Sequence, residues 1–230
     1  MSTENISFPD LMASSIHDMK NSVNIQVHEL EGIAAQIRDK VDAPVFESLV
    51  SVIAQAHRVD ANLIQLLSLY KFGKSIYPLD ITEHWVAEVI AEAVLQKSSV
   101  FALKGITVEV DCAQDCCWYF DRDLFTGVLH NAMNNAYNYT LDKVRIAASI
   151  DAGLLTLRVE DNGRGYPAHM LLGSGVDANK GVNFSSGSTG LGFYFSSQVA
   201  RLHQNQGLTG SLTIENGGAY GGGCFVVRLP

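Results

Sequence analysis

Over the first third of the chain, apolar residues recur at one kind of interval only. Met12, Ile16, Met19, Val23, Val27, Leu30, Ala34, Ile37 and Val41 follow one another at spacings of 4, 3, 4, 4, 3, 4, 3 and 4. Residues three and four apart share a face of an α-helix, so this seam dictates a long helix and excludes a strand of alternating polarity. Ser7, with Asp10 three residues on and Pro9 between them, resembles a capping box at its start. The seam breaks at Asp42-Ala43-Pro44, and a second one runs through Phe46, Leu49, Ile53, Ala56, Asp60, Leu63, Leu67 and Tyr70 to Gly73. Two long helices joined by a short turn make an antiparallel hairpin. A lone hairpin cannot cover so long an apolar seam, so a homodimer forming a four-helix bundle is expected, with packing against the rest of the chain as the alternative.

From Tyr77 onward the pattern becomes mixed. Ile81–Ser98 reads as a helix, Ile106–Val110 and Cys117–Phe120 as short strands, and Asp121–Asn138 as a second helix. Val144–Ile150 and Leu154–Glu160 alternate as a strand pair around Asp151-Ala152-Gly153. A glycine-rich stretch leads into a third helix, Leu191–His203, and strands Ser211–Glu215 and Cys224–Leu229 follow. This mixture predicts an α+β sandwich with helices on one face of a mixed sheet. The expected boundary is therefore an all-α hairpin over residues 1–74 and an α+β domain over 75–230. Glycine marks the same contrast, since 15 of the 20 glycines lie from Gly163 onward, where tight turns and close backbone approach are to be sought.

Composition removes several classes. A net charge of -8 leaves no basic stripe for phosphate backbones, which argues against nucleic acid as a partner. No apolar run reaches the roughly 18 residues that a membrane helix needs. The first ten residues lack the basic and apolar regions of a secretory signal. Cys112, Cys116, Cys117 and Cys224 lack paired metal-ligand spacing and read as reduced thiols. A cytoplasmic protein with no membrane association is the expectation.

Four short stretches carry chemistry. On the first helix stand His17, Asp18 and Asn21, with Asn24 and His28 continuing a polar stripe. A nucleophilic imidazole needs one bare nitrogen and an acceptor holding the other; Asp18 is such an acceptor, and Asn21, one turn on, could orient a water. Taken alone, a histidine on a helix is more often a solvated polar residue. The Asp121–Asn138 helix carries Asn131 and Asn135, four apart and so on one face. Amide oxygens suit a hydrated Mg²⁺ that also holds phosphate, although a capping or inter-helix role explains such a pair as well. Asp161-Asn162-Gly163-Arg164-Gly165-Tyr166-Pro167 follows a strand, placing a carboxylate that could accept from an exocyclic amine ahead of tight-turning backbone. An ordinary Asn-Gly turn is the bland alternative. Last, Gly187-Ser188-Thr189-Gly190-Leu191-Gly192-Phe193 opens a helix whose N-terminal N–H groups could meet phosphate oxygens.

In this order the four stretches resemble the histidine kinases of two-component signalling, over nearly the whole chain. His17, Asp18 and Asn21 look like the phosphoacceptor box. Asn131 and Asn135 match the N box, Asp161, Gly163 and Gly165 the first glycine box, and Ser188 to Gly192 the second. The resemblance implies a dimerisation and histidine-phosphotransfer hairpin followed by a Bergerat (GHKL-type) ATP-binding sandwich, with ATP and Mg²⁺ bound there. It assigns Asn131, Asn135, Tyr139, Asp161, Gly163, Gly165, Thr189, Gly190, Leu191 and Gly192 to nucleotide and Asn135 to the metal, under a lid from about Ala168 to Ser186. ATP-hydrolysing relatives carry a glutamate where Asn131 stands, as base for water; an amide cannot abstract that proton, which favours transfer to His17. Phosphohistidine would then hand its phosphoryl group to an aspartate on a response-regulator receiver domain. Asp18 followed by Asn21 resembles the pattern linked to phosphatase activity.

The sequence departs from that family at several places. Asn138 stands where a basic residue usually meets phosphate, with Lys180 or Arg164 as substitutes, and Phe184 is the sole candidate for the lid's paired phenylalanines. About four extra residues follow His203. No sensor region precedes the hairpin, so the expectation is a core cut from a longer chain or a signal delivered by a separate sensor protein. The competing reading is a histidine phosphotransfer adapter whose kinase-like second domain no longer binds ATP; a third is a non-catalytic, ATP-dependent interaction module.

Overall fold

The computed structural model describes residues 8–74, 76–171 and 190–230 of the 230-residue chain, and it divides into two compact units, Met1–Tyr77 and Pro78–Pro230. Ser7, Thr189 and most of the expected lid, with Lys180 and Phe184, lie outside the described residues.

The first unit is a pair of helices, α1 (Phe8–Ile37) and α2 (Ala43–Gly73). The chain leaves α1 through a turn in which Lys40 N–H donates to Ile37 O, and Pro44 stands in the first turn of α2. Ile16, Val27 and Ala34 of α1 are buried, as are Val50 and Ile53 of α2. His57 Nε2 lies 2.9 Å from Glu31 Oε1, tying the helices by a polar contact beside the seam. Met19 departs from the expected seam, at 48% exposed. Ile25 and Ile33 of the same helix are exposed as well. On α2 a second stripe, Val45, Val52, Val59 and Leu66, repeats every seven residues and is also exposed in the single chain.

The second unit begins with β1 (Ile81–Trp85), α3 (Val86–Leu103), β2 (Thr107–Cys112), β3 (Cys117–Asp121) and α4 (Arg122–Tyr139). There follow β4 (Lys143–Asp151), β5 (Leu154–Asp161), α5 (Ala168–Leu171), α6 (Leu191–Leu202), β6 (Gln204–Asn205), β7 (Leu208–Thr209), β8 (Ser211–Asn216) and β9 (Gly223–Leu229). Five strands form one sheet in the order β2-β4-β5-β9-β8, with β2 and β4 parallel and the other pairs antiparallel. Ala152 and Gly153, both at positive φ, close the β4–β5 hairpin as a two-residue turn of the type that matches strand twist. Alternation sorts the faces. Val144, Ile146, Leu155, Leu157, Phe225, Val227 and Leu229 are buried with Phe120, Phe125, Leu129, Met133, Phe195 and Val199. Each such side chain stabilises the fold by about 1.5–3 kcal/mol. On the other face Arg145 and Arg158 pair with Glu160, which is nearly fully buried; these two guanidiniums draw the Glu160 carboxyl below its ordinary range against the opposing effect of burial.

One expectation needs correction. Ile81–Ser98 is not one helix, because its first five residues form β1, paired antiparallel with β3, before α3 begins. The extra residues after His203 form a small hairpin, β6–β7, turning at Gln206 and Gly207.

Candidate active site

The N-terminus of α4 is fixed first. Asp121 caps it by accepting the N–H of Leu124 at 3.0 Å and that of Asp80 at 3.1 Å. The Asp121 N–H donates to buried His203 Nε2 at 3.0 Å, while His203 Nδ1 bonds Val199 O at 2.8 Å. Burial lowers the pKa of His203 and keeps it neutral. So anchored, α4 directs Asn135 and Tyr139, one turn apart, into a cavity of about 170 Å³. Asp161 and Gly165, from the end of β5 and the loop after it, line the same cavity, with Arg164, Tyr166, Phe193 and Gly223.

The Asp161 carboxylate is built into the backbone. Its Oδ1 accepts the N–H of Gly163 at 2.7 Å and that of Gly223 at 3.2 Å, leaving Oδ2 for the cavity. Gly163 does not itself line the cavity: a Cβ there would lie 2.0 Å from Tyr139 O. The glycine lets the first glycine box pass against the end of α4. Asn162 tightens the same junction, its Oδ1 accepting the N–H groups of Leu141, Asp142 and Lys143 at 3.1 Å each and its Nδ2 donating to Asp142.

Asn131 lies one turn deeper than Asn135. It is buried, its Nδ2 donates to Ser196 Oγ at 3.0 Å, and its amide fills the space that a Cβ on Gly192 would need. Both residues thereby join α4 to α6. Gly190, at φ +59°, precedes α6, and the N–H groups of Leu191 and Gly192 stand in the first turn, where the helix dipole favours an anion. Phe193 carries that turn to the cavity wall.

The donor set suits a magnesium nucleotide. Among the described residues no group of three or more His, Cys, Asp or Glu could hold a metal alone. Mg²⁺ is ordinarily held by one or two protein oxygens together with substrate phosphates. Asn135 offers such an amide in the cavity, and its buried Nδ2 has no partner among the described residues.

In the helical unit His17 is well exposed, and its Nδ1 lies 3.7 Å from Asp18 Oδ1 and 3.3 Å from Asn21 Nδ2. The three residues read together from sequence are together in space, with both contacts at Nδ1. Sequence reasoning quoted Tyr166 and Phe193 at the ends of two stretches without giving them a role, and it missed Gly223 and Asn216. The last is on β8, and its Oδ1 accepts Tyr166 N–H at 2.6 Å while its Nδ2 donates to Tyr166 O at 2.9 Å. Nothing local marks Asn216, whose partner is 50 residues away.

Residues 120–230 match the family described as "Histidine kinase-, DNA gyrase B-, and HSP90-like ATPase". The chain is 24% identical over 154 residues, 67% of its length, to the virulence sensor histidine kinase PhoQ of Salmonella typhimurium (strain 14028s / SGSC 2262), and spans 31% of that relative. Among solved structures it resembles the catalytic domain of histidine kinase ThkA at a TM-score of 0.56 and 19% identity, covering 66% of this chain and 95% of that one. It also resembles full-length ShkA in complex with AMPPNP at a TM-score of 0.61 and 18% identity, covering 97% and 46%. Among the described residues no helix is long and apolar enough to cross a membrane.

Proposed function

We propose that the chain is a sensor histidine kinase catalytic core that transfers the γ-phosphoryl group of ATP to His17, a reading supported by the ATPase-family match over residues 120–230 and the likeness to sensor histidine kinases. The observation that carries this reading is the convergence of Asn135 and Tyr139, from the N box, with Asp161 and Gly165, from the first glycine box, on one cavity. We assign residues 1–74 as the phosphoacceptor and dimerisation domain and 75–230 as the ATP-binding domain. In this assignment Asp161 Oδ2 accepts from the adenine amino group and Tyr139 offers its ring to the base. Asn135 would hold Mg²⁺, which neutralises phosphate charge when bound, and the first-turn N–H groups of α6 bind phosphate oxygens. Complexation of AMPPNP by ShkA, a neighbour in fold, supports an adenine nucleotide as ligand.

Chemistry at the acceptor follows from Nδ1. In this reading Asp18 Oδ1, 3.7 Å from Nδ1 at rest, closes on that nitrogen in place of the Asn21 amide and takes up an Nδ1–H, which leaves the Nε2 lone pair free to attack phosphorus. A P–N bond forms at Nε2 as the bond to the bridging oxygen breaks and ADP leaves, while Asp18 stabilises the charge that develops on the imidazole. With Asn131 buried on Ser196 and no carboxylate at that position, no base stands there to activate water. The phosphoryl group then passes to an aspartate of a receiver domain, and Asp18 with Asn21 positions water for the opposing phosphatase reaction, which hydrolyses that aspartyl phosphate to aspartate and inorganic phosphate. The exposed Val45, Val52, Val59 and Leu66 stripe is the surface on which two hairpins pair.

The test is incubation with γ-labelled ATP and Mg²⁺. Acid-labile label is expected in the wild type and lost in His17→Ala and Asn135→Ala. Label surviving His17→Ala refutes the acceptor assignment. Absence of both label and nucleotide binding, with phosphoryl uptake from a phosphorylated receiver, replaces the kinase by the adapter.

A further inference from the structure

Tyr166 stands directly after the first glycine box, and the family resemblance gives it no role. Its ring lines the cavity with Asp161 and packs edge-on against Phe193, centroids 5.9 Å apart. Asn216 clamps its backbone on both sides, so the ring has little freedom. A bare glycine keeps the space beside it open. A Cβ on Gly223 would lie 2.8 Å from Asp161 Oδ2 and 3.2 Å from Tyr166 Cε2, the ring carbon next to the one that bears the hydroxyl. The carboxylate oxygen not committed to backbone and the hydroxyl edge of Tyr166 therefore flank the same point. Burial and the Asp161 charge push the phenol well above its ordinary range, so it stays a protonated donor at any working pH.

Resting on the nucleotide reading above, we propose that Tyr166 is a specificity residue whose hydroxyl donates to ring nitrogen N1 of the base while Asp161 accepts from the neighbouring 6-amino group. An acceptor beside a donor is the complement of adenine's Watson–Crick edge. Guanine reverses both positions, presenting an oxygen to the carboxylate and an N–H to the hydroxyl, and is rejected because the site's buried polar groups are left mispaired.

The experiment is a cycle between protein and ligand, read by calorimetry on the full chain. Wild type and Tyr166→Phe are each titrated with ADP and with 1-deaza-ADP, in which N1 is a C–H. The wild type is expected to bind ADP about tenfold more tightly than 1-deaza-ADP, as one hydrogen bond to a buried group allows. Tyr166→Phe is expected to lose that factor for ADP and nothing for the analogue. The wild-type comparison leaves the protein unaltered, so it holds even if the variant folds poorly. Equal affinity of the wild type for both ligands, or an equal loss for both in Tyr166→Phe, overturns the assignment while leaving nucleotide binding intact. Failure of the wild type to bind either ligand overturns the nucleotide reading itself, and this proposal with it.

Discussion

Replacing Gly163 by alanine places a methyl group where the backbone allows none. The new carbon would lie 2.0 Å from the carbonyl oxygen of Tyr139 and 2.8 Å from its carbon, against an ordinary contact of 3.4–4 Å. No side-chain rotation relieves a clash with backbone, so the glycine-box loop must retreat from the end of α4 by well over an ångström. Overpacking of this kind costs about 1–3 kcal/mol. The retreat also stretches the 2.7 Å bond from Gly163 N–H to the Asp161 carboxylate, and bonds to charged groups contribute about 1.5–3 kcal/mol. Discounting for partial exposure, a loss of about 3 kcal/mol is expected, a large share of the ~5–15 kcal/mol that holds a domain folded. The chain supplies its own local reporter, since both tryptophans, Trp85 and Trp118, lie in the Pro78–Pro230 unit. Urea unfolding followed by tryptophan fluorescence therefore reads that unit alone, and the midpoint should fall by about 1–2 M. ADP affinity should fall with it, because Asp161 moves with its bond. An unmoved midpoint together with unchanged ADP affinity would refute the claim that this glycine exists for close approach.

At Gly32, inside α1 with nothing within 4 Å of its Cβ position, the same replacement has the opposite sign, raising stability by about 0.5–1 kcal/mol in a helicity-monitored melt. Asp18→Asn should slow formation of acid-labile label by about 100-fold while leaving ADP affinity unchanged, which separates proton handling from binding. Val52→Glu with Val59→Glu should halve the mass measured by light scattering; an unchanged mass would refute pairing through that stripe. His203 has a lowered folded pKa, so the unfolded chain binds the proton first and stability declines as pH falls through about 6.5. The slope approaches ~1.4 kcal/mol per pH unit until the folded pKa is reached. Glu160 acts in a separate, more acidic window, because a depressed carboxyl contributes above its ordinary value of 4.5 and loses that contribution only below it. Tryptophan-monitored midpoints between pH 7.5 and 5.5 should fall in the wild type and fall less in His203→Gln.

What the sequence made legible was whatever its local intervals encode. The hairpin follows from spacings within each helix, and Phe46, Leu49, Ile53, Ala56, Leu63 and Leu67 all lie on the covered side of α2. The β4–β5 pair follows from alternation around a turn that Asp151-Ala152-Gly153 announces. Strand β1 escaped because its apolar ends, Ile81 and Trp85, sit four apart and run in phase with Val89 and Ala93 of α3, while Trp85 provides no side-chain cap to mark the junction. Its true partner, β3, lies more than thirty residues on. At the site, motif residues could be named but their division of labour could not. Asn131 and Asn135 look alike in sequence, yet one is joined to Ser196 and the other opens on the cavity. Tyr166 and Asn216 depend on a contact across 50 residues that no local pattern records.

Asn162 lies within a motif usually valued for what it does to a ligand, yet its amide is used wholly on the turn from Thr140 to Lys143. The N-box helix and the first glycine box are thus latched into one piece of backbone, with the β4–β5 hairpin enclosed between its ends. For anyone building chimeras, this makes residues from Asp121 to Tyr166 a natural exchange unit. Grafting a foreign N box alone would bring a turn that the resident latch does not fit, whereas moving the whole cassette carries the geometry of the pocket with it.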